Sequence, residues 1–190
     1  SGVPNDRLSP EDITVVSLET GERVAGHLNP SSDTPTHLAL YRAFPGIGGI
    51  THTHSPYATA WAQAGWPQRC LGTTHADCFY GEVPVTRYVS REEAARAYEA
   101  ETGTVIVEAF AGRDPVHTPG VLVRGHGPFT WGDSALKSVH NAITLEEVAR
   151  MNLLTLLLDG NVPDLPEALQ SKHFERKHGP NAYYGQGSNG

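Results

Sequence analysis

The β-rich run Ile13–Leu18 and the short run Arg23–His27 flank the polar stretch Glu19-Thr20-Gly21-Glu22. Two short runs joined by a Gly-containing turn predict a β-hairpin. Pro30-Ser31-Ser32-Asp33-Thr34-Pro35 then supplies helix-start chemistry ahead of a helix over Thr36–Phe44. The run from Gly48 to His54 has the length of a short buried strand, and Ser55-Pro56 opens a second helix, Tyr57–Ala64, which Gly65 stops. Val83–Val89 reads as a strand. Ser90 with Glu93 forms a capping box for a helix running to about Glu101. The β-branched run Val105–Phe110 fits strand or helix equally well. Pro119–Val123 reads as a buried strand ending at Gly125-His126-Gly127. The longest helical pattern runs from Ser134 to Gly160, and a last helix from Pro166 to about His178. Strands and helices alternate only roughly, which predicts an α/β layered domain with a mixed or mainly antiparallel sheet.

Composition narrows the class. The 190 residues suffice for a hydrophobic core, and no repeat or linker divides them, so the chain reads as a single domain. A net charge of −7 argues against non-specific binding to nucleic acid or to an anionic membrane. No apolar run approaches the ~20 residues that span a bilayer, and no signal-peptide pattern opens the sequence. Cys70 and Cys78 form no CxxC pair and read as reduced thiols of a cytoplasmic protein. Ten histidines are the unusual feature. Residues two apart on a strand share a face, so His52 and His54 direct both imidazoles the same way. His126 closes another apolar strand between two glycines, which permit close backbone approach. Three imidazoles with an open fourth position are the composition of a catalytic zinc site, although spacing alone leaves His27, His37, His75, His117, His140, His173 and His178 available as the third partner.

Five separated stretches occur in the order found in one enzyme family: Pro30–His37, Gly48–Ser55, Gly72–Asp77, Gly120–Phe129, and Arg176–Gly179 continuing through Tyr183–Gln186. In these the chain resembles the L-ribulose-5-phosphate 4-epimerases of the class II aldolase/epimerase superfamily, over Ser1 to Gln186. The resemblance implies a three-layer α/β/α sandwich with a mainly antiparallel central sheet. It implies one zinc ion per subunit, or another divalent metal, on His52, His54 and His126, with Asp33 beside it. On its own, Asp33 reads as a helix cap. The resemblance also assigns acid/base roles to Asp77 and Tyr184, phosphate contacts to Ser1, Gly2, Ser31 and Ser32, and supporting positions to Thr73, Glu99 and His173. It further implies a cytoplasmic homotetramer with active sites at subunit boundaries, serving L-arabinose catabolism or an ascorbate-derived route. The family carries a strand–helix segment ahead of Ser-Gly; the sequence starts at Ser1 without it, so part of the phosphate pocket is expected to be missing.

The C4 hydrogen of a 2-ketopentose phosphate is not acidic, so inversion there calls for retro-aldol cleavage of C3–C4, with the C2 carbonyl taking the electron pair, and recombination on the other face of the aldehyde. Alternatives are a sister aldolase, which the family pattern associates with Glu rather than Asp at position 33, and a non-catalytic adducin-type assembly domain, which lacks the histidines.

Overall fold

The computed structural model describes residues 3–179 together with Ala182 and Tyr183. They fall into two compact units, one formed by the residues up to Pro45 with Val89–Glu108, the other by Gly46–Tyr88 with the residues from Ala109 onward.

The first unit begins with two 3-10 turns, Asn5–Arg7 and Pro10–Asp12. The hairpin follows as β1 (Val15–Val16) and β2 (Arg23–Ala25), antiparallel and shorter than the runs that predict it. Gly21, at φ +78°, supplies the left-handed turn residue between them. Helix α1 (Thr34–Ala43) has a proline in its first turn, and Asp33 occupies its N-cap position without a side-chain capping bond. The Arg42 guanidinium donates to the Leu18 and Glu19 carbonyls and so ties α1 to the hairpin turn.

Helix α4 (Arg91–Ala109) is longer than its capping pattern predicts. The capping box is present: the Ser90 N–H donates to Glu93 Oε2 at 2.7 Å, and the Glu93 N–H donates to Ser90 Oγ at 3.2 Å. Ala97 breaks the helix geometry at φ −168°, ψ 73°, and the second half carries the ambiguous Val105–Phe110 run. Thr102, Gly103, Val105 and Ile106 are buried at helical spacing, so packing of one face overrides β-branched propensity here. Gly103 allows the contact with α1: a Cβ there would lie 2.5 Å from that of Ala39.

The second unit is built on a three-stranded antiparallel sheet of order β3-β5-β4, from β3 (Gly49–His52), β4 (Gly120–Val123) and β5 (Gly127–Gly132). Strand β5 is absent from the sequence reading, which ends the apolar run at Gly127. Val83–Val89, in contrast, is not a strand. It meets its neighbours only through single bridges, Gln68 with Val83 and Val85 with Leu122.

Helices α2 (Pro56–Ala64) and α5 (Ala135–Leu158) pack on this sheet and on each other. Gly65, at φ +70°, terminates α2 as expected. Ser55 occupies the N-cap position of α2 without a side-chain capping bond; the N–H groups of Tyr57 and Ala58 donate instead to the Glu146 carboxylate of α5, at 2.9 and 2.8 Å. Ala58, Trp61, Ala62, Phe79, Val83, Leu122, Leu145 and Ala149 form the core, with the Trp61 indole N–H donating to the Ala149 carbonyl. The Gly72–Asp77 stretch forms the one-turn helix α3 (Thr73–Ala76), which packs against α6 (Glu167–His178). Cys70 and Cys78 are free thiols, and burial, followed by the Asp164 charge, pushes the Cys70 thiol up to about 11. Among the described residues no helix is long and apolar enough to cross a membrane.

Candidate metal centre

His52 ends β3, His54 follows two residues later, and His126 stands in the tight turn joining β4 to β5. Because β3 pairs with β5, the end of one and the start of the other lie side by side, with His52 opposite Phe129. The three rings form a near-equilateral group, with centroids 4.9, 4.7 and 4.9 Å apart and planes 68–85° to one another. One ligand atom from each falls within 4.8 Å of the other two.

The backbone sets the chemistry of this group. His52 Nδ1–H donates to the Pro128 carbonyl at 2.9 Å, which leaves Nε2 as its basic nitrogen. That Nε2 lies 3.1 Å from Nε2 of His54. Two nitrogens on a tetrahedral zinc ion are about 3.3 Å apart for Zn–N bonds near 2.05 Å, so this spacing fits a shared divalent metal. Phe129 stacks on the His52 ring at 4.0 Å and 15°, fixing its plane. A Cβ on Gly127 would meet the Thr53 carbonyl oxygen at 2.7 Å and His54 Cδ2 at 3.3 Å, so glycine is needed for the His54 segment to reach the group. Gly125, at φ +74°, makes the turn, and its N–H donates to the Ala62 carbonyl at the end of α2. Imidazoles converging from the end of β3 and from the β4–β5 turn, one of them backed by a carbonyl, suit a borderline metal such as zinc.

A second polar group forms where α3 meets α6. Asp77 caps the C-terminus of α3. Its Oδ1 accepts from His173 Nδ1 at 3.0 Å and from Arg176 Nε and Nη2 at 3.1 and 2.8 Å. Its Oδ2 accepts from Arg176 Nη2 at 2.8 Å and lies 3.4 Å from Lys177 Nζ. His178 Nε2–H donates to the Asp77 backbone carbonyl. Burial pushes the Asp77 carboxyl up, but the bonds from Arg176 and His173 and the charges of Lys177 and Arg176 outweigh it, and the group is held below the usual carboxylate range. Arg176 and Lys177 were not singled out in the sequence as partners of Asp77. The signal was present, since His173, Arg176 and Lys177 sit at i, i+3 and i+4 and share one helix face.

The family model described as the class II aldolase and adducin N-terminal domain matches residues 1–153. The chain belongs to the class II aldolase and adducin family. Within that family it groups with the L-ribulose-5-phosphate 4-epimerases: the proteins of that name, UlaF, from Salmonella paratyphi A and Salmonella typhi are 51% identical to it over 98% of the chain and 81% of their own length. Among solved structures, an L-fuculose 1-phosphate aldolase at 24% identity shares the fold, with a TM-score of 0.74 over 93% of this chain and 76% of its own. The Klebsiella pneumoniae protein YgbL, described as a putative aldolase/epimerase/decarboxylase, is 29% identical, with a TM-score of 0.65 over 87% of this chain and 74% of its own. The fold is therefore class II aldolase-like, with the antiparallel sheet expected for this family.

The other expected site residues of this class II aldolase relative distribute as follows. Thr73 opens α3, in the second unit with the histidines. Ser31, Ser32, Asp33 and Glu99 belong to the first unit. There the Ser31 carbonyl accepts from the Thr34 hydroxyl and N–H, Ser31 Oγ accepts from the Asp33 N–H, and the Glu99 carbonyl accepts from Thr36 Oγ1 at 2.6 Å. Ser1, Gly2 and Tyr184 lie outside the described residues.

Proposed function

We propose that the protein is a metal-dependent L-ribulose-5-phosphate 4-epimerase, producing D-xylulose 5-phosphate. The observation that carries the reading is the three-imidazole group itself, present in a chain 51% identical to epimerases of that name. His52, His54 and His126 would hold a zinc ion, with Asp33 assigned to the site by the family resemblance, and the ion would supply Lewis-acid stabilisation of negative charge on the substrate when bound.

The chain's own residues handle the rest. The Asp77 group and Tyr184 are the acid/base groups of the two faces from which the C4 oxygen is approached. One takes the C4 hydroxyl proton as C3–C4 breaks, leaving dihydroxyacetone enediolate and glycolaldehyde phosphate. After the aldehyde turns over, the other returns the proton as the bond re-forms with C4 inverted. Ser31 and Ser32, ahead of α1, offer hydroxyl and backbone N–H groups to the phosphate, aided by Ser1, Gly2 and Thr73.

The protein works as a homotetramer in the cytoplasm. Supporting this, α5 carries exposed apolar side chains toward both ends, Leu136 and Ile143 near one and Leu154, Leu157 and Leu158 near the other. The test is a coupled assay for D-xylulose 5-phosphate on metal-loaded protein. Chelation should abolish turnover and zinc should restore it, and light scattering should give four chains per particle. Inactivity on L-ribulose 5-phosphate with cleavage of a deoxyketose 1-phosphate would instead identify an aldolase. Absence of bound divalent metal in fresh protein would favour an adducin-like assembly role.

A further inference from the structure

We propose that Tyr88 and Arg124 clamp the β4–β5 turn and are positioning residues for His126 as a metal ligand. The proposal rests on the metal-centre reading and adds two residues to it.

His126 reaches the group differently from its two partners. His52 is the last residue of β3, and its ring is fixed by the Pro128 carbonyl and by Phe129. His54 leads directly into α2. His126 is carried by a turn of three residues, Arg124-Gly125-His126, between the paired residues Val123 and Gly127. Its own N–H closes that turn, donating to the Val123 carbonyl at 2.9 Å. The ring therefore goes where the turn goes, and a metal site tolerates only ~0.5 Å of displacement.

The turn is anchored at two backbone points. The Gly125 N–H donates to the Ala62 carbonyl in the last turn of α2 at 3.0 Å, and the Arg124 N–H donates to Thr86 Oγ1 at 3.0 Å. Side chains reinforce both. The Arg124 guanidinium lies over the Tyr88 ring, 4.6 Å from its centroid. It also lies against the end of α2, where a Cβ on Gly65 would meet its Nε at 2.6 Å and its Cζ at 2.7 Å. The same tyrosine ring runs along Gly125, whose Cβ would meet Cε1 at 2.9 Å. One ring thus packs on both the turn backbone and the cation, and the cation rests on the helix end to which the turn is bonded.

The residue types suit this task. A guanidinium is planar, stacks on an aromatic face and is favoured beside the carbonyl end of a helix. Glycine at 65 and 125 leaves room for the guanidinium and for the ring. The tyrosine hydroxyl has no part in the stack, so phenylalanine should serve as well. Tyr88 is 56% exposed and Arg124 is exposed, so removing either opens no core cavity and the fold survives the test.

The test measures zinc or cobalt affinity by competition with a chromophoric chelator, on variants shown to be folded by circular dichroism. Tyr88→Leu and Arg124→Met should each bind about 10-fold more weakly than wild type, and Tyr88→Phe should stay within about twofold of it. The double variant should lose about as much as either single one, because the pair acts as a unit. Wild-type affinity in Tyr88→Leu and Arg124→Met overturns the proposal. A second arm repeats both substitutions on His126→Ala. With that ligand gone they should leave the residual affinity unchanged; a further loss of about 10-fold there means general loosening of the fold and overturns the proposal. A third arm needs no bound metal. The Gly125 amide should exchange with solvent about 10-fold faster in Tyr88→Leu than in wild type, while the Trp131 amide, bonded to the Pro119 carbonyl, is unchanged. Equal exchange at Gly125 overturns the clamp. A wild type that binds neither ion overturns the metal-centre reading instead, and exchange at Gly125 then decides whether the pair holds the turn.

Discussion

Gly127→Ala tests how the histidine group is held. Gly127 is not among the glycines with positive φ, so alanine meets no backbone strain there and the effect is purely steric. The new methyl would lie 2.7 Å from the Thr53 carbonyl oxygen and 3.3 Å from His54 Cδ2, against the 3.4 Å at which ordinary contact begins. The carbonyl belongs to backbone beside the paired end of β3 and cannot rotate away, so the Thr53-His54 segment must retreat by roughly 0.7 Å. Forced overpacking of this kind costs about 1–3 kcal/mol. A metal site tolerates only ~0.5 Å of displacement, so the larger effect falls on His54 as a ligand. Affinity for zinc or cobalt, measured by competition with a chromophoric chelator, should drop about 10–100-fold. Gly72→Ala is the control, because a methyl there enters open space at a glycine without positive φ. Wild-type affinity in Gly127→Ala, with an unchanged melting temperature, would refute the claim that this glycine makes room for the ligand.

Glu146→Ala removes the acceptor of two N–H groups at the start of α2 and should cost about 2–3 kcal/mol, seen in calorimetry as a Tm lower by roughly 4–10 °C. Buried His75 has its pKa lowered to about 4 by desolvation, against the bond it donates to the Gly81 carbonyl. The unfolded chain binds that proton first, so stability is full above pH 6.5 and falls toward pH 4 by up to about 1.4 kcal/mol per pH unit; denaturant melts of His75→Gln should show a flatter slope over that window. The lowered pKa of Asp77 works in the same sense: its contribution is present above the ordinary carboxylate range and is lost as pH falls through the folded value. Arg176→Met removes the largest cause of that lowering, so it should be less stable than wild type at neutral pH and should lose less further stability as pH falls through the acid range, in denaturant melts at stepped pH.

Elements whose cause is local were legible in the sequence. The hairpin turn, the Ser90–Glu93 box, Gly65 as a helix stop and the long α5 each follow from neighbouring residues. So did the shared direction of His52 and His54. Strand β5 was not legible, because Gly127, Pro128 and Gly132 read as punctuation, while its identity comes from partners on both sides. Val83–Val89 has the composition of a strand but finds only single bridges. The partners of Asp77 lie 96 to 101 residues away, a distance that no periodicity argument crosses.

The carbonyl of Pro128 and the ring of Phe129 hold His52 without adding charge. Three neutral nitrogens follow the general order in which first-row divalent ions compete for such donors, and copper and nickel outrank cobalt, iron and manganese there. The ion recovered with the protein should therefore record the supply of the culture medium as much as any preference of the scaffold. Parallel growths supplemented with different metals should yield chemically distinct preparations of the same polypeptide.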